Sequence, residues 1–220
     1  ASLALYAAHR LPYEQWLDDV NLRAADPLAE WRGGLNFSST YLSGRALYLD
    51  SLAQINLADK TDPYLYDASW TKKISFEDLS TGQQVFLWPS PSSSLTPEQR
   101  IVFGKAGAEE IVGTPDAGSV PTGPDGTAYN EYLFGGDGND TIYGNAGRDY
   151  IEGGNGNDVL HGGPGWDMVL GNDGDDTLVV DAGLDNLDSL YGGRGNDEYY
   201  FHAGATQNGI WDSDGQGKVV

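Results

Sequence analysis

The chain has 220 residues with 33 acidic and 12 basic side chains, which gives a formal net charge of −21. Nucleic acid is excluded as a partner by this balance, because phosphate contacts need Lys and Arg, and an anionic membrane surface would repel the chain. The chain has no Cys to build a disulfide framework and no apolar run long enough to span a membrane. It begins without Met and stops in mid-pattern, so we expect it to be part of a longer protein.

Residues 1–100 predict a mixed helical module with one hairpin. Apolar residues at helical spacing predict helices over 12–32, where Asp26-Pro27 forms a break, and over 39–57. The buried stripe of the second helix is predicted to consist of residues three and four apart, namely Leu42, Ala46, Leu49, Ala53 and Leu57.

After the helices, the pattern predicts a hairpin and then a linker. Residues 74–77 alternate, 80–82 form a turn and 85–88 are apolar again, whereas 89–94 are only Pro and Ser. Four aromatic side chains of this half are interpreted as core anchors, since aromatic residues dominate burial in small modules. They are Trp16, Trp31, Trp70 and Trp88.

The second half, residues 101–220, is built on a nine-residue repeat. Residues 135–179 read GGDGNDTIY, GNAGRDYIE, GGNGNDVLH, GGPGWDMVL and GNDGDDTLV. A degenerate copy, VDAGLDNLD, follows, and three inserted residues, 189–191, then precede a clean copy, GGRGNDEYY, at 192–200. A frayed copy at 104–112 carries Glu109 where the others carry Asp.

Each repeat predicts a turn followed by a short strand. Glycines at positions one, two and four allow positive φ, and Asn145 and Asn172 are the side chains that best tolerate it elsewhere at position two. An apolar residue at position eight points inward, and stacked coils turn these residues into a thin core. The predicted fold is therefore an α+β N-terminal part followed by an all-β parallel β-roll. Its predicted core column is Ile111, Ile142, Ile151, Leu160, Val169, Leu178, Leu187 and Tyr199.

The aspartates at position six indicate that the folded repeats bind a cation. With two repeats per coil, Asp140, Asp158 and Asp176 line one edge and Asp149, Asp167 and Asp185 line the other. Neighbours would stand about 4.8 Å apart, the spacing of paired strands. Like charges at that spacing oppose folding unless cations intervene. Carboxylate and carbonyl oxygens suit Ca²⁺, whereas His161 and His202 are too scattered for zinc. The composition alone would also fit a disordered tract, and we expect disorder without Ca²⁺.

Residues 104–112 and 135–200 resemble the RTX domains of bacterial proteins exported by type I secretion. The resemblance implies Ca²⁺ binding through the aspartates and turn carbonyls, export in an unfolded state through the type I machinery, and folding outside the cell. Asp185 belongs to a copy that lacks the paired glycines. Carried over to this sequence, the implied ligands are Asp140, Asp149, Asp158, Asp167, Asp176, Asp185 and Asp197, with carbonyls of Gly136, Gly138, Gly154, Gly156, Gly163 and Gly165.

The sequence leaves the activity of the parent protein open. RTX proteins include cytolysins, lipases, proteases, epimerases and adhesins. The chain has no G-x-S-x-G elbow and no H-E-x-x-H pair, and only His9 lies outside the repeats and tail, so no catalytic residue is predicted. Three functions stay possible: a Ca²⁺-responsive folding and secretion module, the C-terminal part of a hydrolase of lipase type, or a recognition module of an adhesin.

Overall fold

The computed structural model describes residues 38–57, 63–67, 73–88, 99–114, 130–181, 188–202 and 208–220. The chain divides into two compact units. The first comprises 1–73 and 84–95, and the second comprises 74–83 and 96–220. The predicted helix over 12–32, the linker over 89–94, His9 and three of the four tryptophans (Trp16, Trp31 and Trp70) lie outside the described residues.

The described part of the first unit contains one helix and two strands. Helix α1 spans Ser39–Leu57, which confirms its predicted bounds. Ser38 caps it, because its Oγ accepts a hydrogen bond from the Tyr41 backbone N–H at 2.9 Å. The predicted stripe was only partly right. Leu42 is buried, but Ala46, Leu49 and Ala53 are half-buried, and the side chain of Leu57 lies outside the described ones. Among the helix side chains that the structure describes, the other buried ones are Tyr48, Ser51 and Ile55.

The strands of this unit are β1 (Tyr64–Tyr66) and β3 (Gln83–Trp88), which belongs to it from Gln84 onwards. They pair in parallel, and Tyr64 stacks on Phe86 with ring centroids 4.6 Å apart. Trp88 is buried, as predicted for a core anchor. Both strands of the predicted hairpin are present, since β2 spans Ile74–Asp78 and the chain turns before Gln83. No helix of the described residues is long and apolar enough to cross a membrane.

The second unit is a parallel β-solenoid, which confirms the predicted β-roll. Its first sheet has the order β2-β4-β6-β8-β10-β12-β14 and its second sheet β15-β13-β11-β9-β7-β5. The first sheet continues with β4 (Gln99–Phe103), β6 (Asn130–Asp137), β8 (Tyr150–Asn155), β10 (Met168–Asp173), β12 (Ser189–Arg194) and β14 (Gly209–Trp211). The second consists of β5 (Glu110–Val112), β7 (Thr141–Tyr143), β9 (Val159–His161), β11 (Thr177–Val180), β13 (Glu198–Phe201) and β15 (Lys218–Val219).

The interior of the solenoid is one apolar cluster, to which each of the two sheets contributes a column of side chains. Position eight of the clean repeats supplies most of these side chains, as predicted, so that Ile142, Ile151, Leu160, Val169 and Leu178 are completely buried. Leu187 lies outside the described residues, and Leu190 stands in register with Val169 in its place.

The prediction that residues 189–191 are an insertion is wrong. These residues begin β12 and pair with Met168, Val169 and Leu170 of β10. The three additional residues fall earlier, between Val180 and Asp188, because the step between corresponding residues is 18 up to Asp167 and 21 from Asp167 to Asp188. Pairing of β12 thus places Leu190 in the core, in the position that the nine-residue count assigned to Leu187.

Candidate metal centre

Two columns of buried carboxylates run along the two edges of the solenoid. One column contains Glu109, Asp140, Asp158, Asp176 and Asp197, and the other contains Glu131, Asp149, Asp167 and Asp188. All the aspartates in them are at most 3% exposed. The predicted arrangement in two edges is thus confirmed for every one of these residues that the sequence identified.

One oxygen of each aspartate is used to hold the coils together. The backbone N–H of Asp140 donates to Oδ1 of Asp158, and the N–H of Asp158 donates to Oδ1 of Asp176, both at 2.8 Å. On the other edge the N–H of Asp149 donates to Oδ1 of Asp167 at 2.9 Å. Each carboxylate therefore accepts a hydrogen bond from the corresponding residue one coil earlier, which fixes its position and direction.

The second oxygen of these carboxylates is left over. Within the described part of the chain, Oδ2 is buried and has no hydrogen-bond partner in six aspartates: Asp140, Asp149, Asp158, Asp167, Asp176 and Asp197. A buried polar atom without a partner costs free energy, and a charged one costs more. Six such atoms on two regular columns mark places where a cation would remove this cost.

The glycine at position one makes room for this second oxygen. A Cβ on Gly153 would collide with Oδ2 of Asp158, and one on Gly162 would lie 2.7 Å from Oδ2 of Asp167. The prediction that position one needs positive φ is wrong, because positive φ occurs at positions two and four only. Position one is Gly because the carboxylate occupies the space that a side chain would take.

Positions two and four supply the turn. The six glycines whose carbonyl oxygens are predicted to bind Ca²⁺ all have φ between 95° and 154°. They are Gly136, Gly138, Gly154, Gly156, Gly163 and Gly165. Asn145 and Asn172 adopt φ of 67° and 79°, as predicted for Asn at position two. A Cβ on Gly154 would collide with the carbonyl oxygen of Gly136. Turns of successive coils therefore approach so closely that backbone oxygen atoms line the space between them.

Burial raises the pKa of the carboxylates. Loss of hydration is the largest cause in each case, and it raises the pKa of Asp149 to about 9, of Asp167 and Asp176 to about 8, and of Asp158 to about 7. Neighbouring carboxylates add to it, as Asp167 does for Asp149. The pKa of Asp140 and of Asp188 rises to about 6 for the same first reason. Without a cation, Asp149, Asp167 and Asp176 therefore disfavour the charged form at neutral pH.

A cation at these edges would have to combine carboxylate and backbone oxygens. Among the described residues, no three His, Cys, Asp or Glu side chains are grouped closely enough to hold a metal ion by themselves. A donor set of one or two carboxylates with several turn carbonyls is all oxygen, which suits Ca²⁺ in six- to eight-fold coordination. His161 does not compete, because it stacks on Tyr143 with ring centroids 4.7 Å apart. The residues present therefore fit Ca²⁺.

Asp188 and Glu131 were not identified as site residues from the sequence. Asp185, which was, lies outside the described residues, and Asp188 takes the next place in its column by accepting the N–H of Asp167 at 3.0 Å. A signal existed for both, since Asp188 and Glu131 each precede by two residues an inward leucine, Leu190 or Leu133. The spacing of an acidic residue two positions before an apolar one is thus kept at places where the glycine pattern is absent.

Comparison with known protein families identifies the repeats. The model of the RTX calcium-binding nonapeptide repeat matches four stretches of the chain, at 125–160, 144–178, 161–189 and 182–207. Searches of curated proteins and of solved structures returned no significant match.

Proposed function

Because residues 125–207 are RTX calcium-binding repeats, we propose that the edges of the solenoid bind Ca²⁺ and that this binding drives the repeats to fold. The chain would then act as a Ca²⁺-responsive module of a secreted protein. In Ca²⁺-poor cytosol the repeats would stay unfolded, which suits passage through a type I secretion channel, and they would fold outside. The folded solenoid would stabilise the extracellular parent protein.

The observation that carries this proposal is the row of unpartnered Oδ2 atoms. Each is buried, is aimed at a glycine of its own turn, and recurs at one position per repeat. A thin apolar column cannot offset many buried charges, so the metal-free fold is penalised at neutral pH. Ca²⁺ that binds only the folded state shifts the equilibrium toward it by mass action. Folding and binding thus become one event.

A Ca²⁺ titration followed by far-UV circular dichroism tests the proposal. In chelator the repeats should lack β structure, and they should gain it with a midpoint of roughly 10⁻⁴–10⁻³ M Ca²⁺, as in extracellular Ca²⁺ modules. Mg²⁺ should substitute poorly, because it requires a tight octahedral shell and retains its water. Identical spectra with and without Ca²⁺ would refute the proposal.

Asp158→Asn and Asp173→Asn form the matched pair for this titration. Both remove one carboxylate, but Asp158 is buried with an unpartnered Oδ2. Asp173 is partly exposed and lies 3.6 Å from Arg194. We expect Asp158→Asn to shift the Ca²⁺ midpoint upward and Asp173→Asn to leave it unchanged. Equal shifts would mean that general charge, and not the buried column, controls Ca²⁺ binding.

A further inference from the structure

Arg100 stands in one of the two carboxylate columns. Strand β4 pairs with β6 in parallel, with Arg100 opposite Glu131, and Glu131 in turn donates its N–H to Oδ1 of Asp149 at 3.0 Å. Arg100 therefore occupies, one coil before Glu131, the place that aspartates occupy in later coils. The column reads Arg100, Glu131, Asp149, Asp167 and Asp188.

Glu131 differs from the aspartates below it because both of its carboxylate oxygens are satisfied by protein donors. Arg100 Nη1 donates to Oε1 at 3.1 Å, and Thr114 donates to Oε2 through its backbone N–H at 2.6 Å and its hydroxyl at 3.0 Å. The side chain of Glu131 is completely buried. Its charge is therefore compensated inside the protein, whereas the next carboxylate, Asp149, keeps an unpartnered Oδ2 among the described residues.

The position of Arg100 is itself fixed from three sides. Besides Glu131, its guanidinium donates to the carbonyl of Val112 on β5 at 3.1 Å and to Oε2 of Glu77 on β2 at 3.0 Å. The side chains of Glu77 and Arg100 are 30% and 24% exposed and can be hydrated, so the one fully buried charge of this group is that of Glu131, which Arg100 neutralises. Three strands of the solenoid, β2, β5 and β6, are thus tied to β4 without a metal ion.

We propose that β2, β4, β5 and β6 form a seed that folds without Ca²⁺, because Arg100 supplies there the positive charge that Ca²⁺ supplies in later coils. This inference rests on the proposed Ca²⁺-dependent folding of the repeats. It makes assembly directional: Ca²⁺ adds coils to an edge that is already in place. The other column begins with a weaker ion pair, in which Glu109 lies 3.7 Å from Nζ of Lys105, a side chain that is 51% exposed.

Hydrogen exchange of the 220-residue chain, measured peptide by peptide, tests the seed. In chelator we expect slow exchange in peptides covering 99–103 and 131–135, and fast exchange in peptides covering 150–161 and 168–180. On addition of Ca²⁺, the later peptides should become protected. Arg100→Gln leaves Glu131 charged and buried without a cation, so protection of 99–103 in chelator should fall roughly 100-fold, as when a buried ion pair loses one partner.

Two further variants separate charge from packing. Arg100→Gln/Glu131→Gln removes both charges of the pair, so that no uncompensated charge stays buried, and it should restore most of the protection in chelator. Arg194→Gln removes an arginine whose pair with Asp173 is exposed, and it should change nothing in 99–103. Failure of the double variant to recover protection would show that the arginine acts through packing, which overturns the charge argument.

The result also distinguishes this inference from the proposed function. Fast exchange of 99–103 in chelator, followed by protection of all coils with Ca²⁺, would overturn the seed alone. Equal protection of 99–103 in wild type and Arg100→Gln would overturn it as well. If Ca²⁺ gave no protection to 150–180 while 99–103 stayed protected, the Ca²⁺-dependent folding would fail although the Arg100 seed existed.

Discussion

The interior column and the edge columns of the solenoid are built from the same repeats, two residues apart, yet they are in opposite energetic states. Position eight places Leu160 and its equivalents in a core that is complete in the protein alone. Position six places Asp158 and its equivalents where one carboxylate oxygen has no partner among the described residues. The apolar column favours stacking under all conditions, whereas the carboxylate columns favour it only when the charge is compensated. The stability of the solenoid therefore depends on whether the carboxylate charges are compensated.

The largest effect should come from the interior column. Leu160→Ala should lower the free energy of unfolding of the Ca²⁺-loaded protein by about 2–5 kcal/mol, because Leu160 is completely buried and its truncation opens a cavity in the core. Leu170→Ala is the matched control, since Leu170 is only half-buried and follows Val169 on the outward side of β10. Chemical denaturation in saturating Ca²⁺ measures both, and equal losses would contradict the assignment of the core.

The next effect should come from the edges and should depend on Ca²⁺. Asp158→Asn and Asp167→Asn should raise the Ca²⁺ midpoint by roughly tenfold, since the number of ligand charges sets affinity in Ca²⁺ sites. Asp197→Asn should raise it less, because the middle coils have neighbours on both sides and lose two interfaces.

Saturating Ca²⁺ separates these edge variants from Leu160→Ala, because a higher Ca²⁺ concentration should restore folding of the edge variants, whereas the cavity of Leu160→Ala remains at any Ca²⁺ concentration. A larger effect at Asp197 than at Asp158 would indicate that folding starts from the C-terminal coils.

Low pH should stabilise the solenoid in part without Ca²⁺, because it protonates the edge carboxylates. The pKa of Asp149 is about 9 and that of Asp167 about 8 in the metal-free fold, above the ordinary carboxyl value of about 4. Groups with a raised pKa contribute stability that is fully present below the ordinary value and is lost as the pH rises through the folded pKa values. In chelator, the repeats should therefore show more β structure at about pH 5 than at about pH 8.

Circular dichroism over that pH range provides the measurement. The variant Asp149→Asn/Asp167→Asn should show a weaker pH dependence, because it lacks two of the titrating groups. Loss of structure on acidification of the chelated wild type would contradict the account.

The smallest effect should come from the outer ion pairs. Arg194 and Asp173 are both about one-third exposed and lie 3.6 Å apart. Such a pair contributes about 0–1 kcal/mol. Arg194→Gln should therefore leave the denaturation midpoint almost unchanged in Ca²⁺, and a loss as large as that of Leu160→Ala would show that charge on the outer turns also carries the fold.

The sequence predicted the structure best at positions where the fold allows only one type of residue. Position eight must be apolar and position six must be acidic, so the two edges and the core could be predicted from period alone. It was least informative about register. Asp185 fitted the nine-residue count, but strand pairing placed Asp188 in the column, because the inward leucine and not the count determines which residue stacks.

The reason for each glycine could not be predicted from the sequence either. Positions one, two and four look alike in sequence, but Gly154 needs positive φ, whereas Gly162 does not and makes room for a carboxylate oxygen. Arg100 carried no signal at all, since its strand lies outside the clean repeats and only pairing with β6 places it opposite Glu131.

The central claim is that a cation sits against the second oxygen of the edge aspartates. A crystal structure of the Ca²⁺-loaded chain, with anomalous difference maps recorded at long wavelength, tests it directly. Peaks are expected between successive turns on both edges, each about 2.3–2.6 Å from an aspartate Oδ2 such as that of Asp158 or Asp167 and from turn carbonyls of the same edge. Peaks confined to exposed carboxylates such as Asp173, with Oδ2 of Asp158 hydrogen-bonded to protein or water, would contradict it.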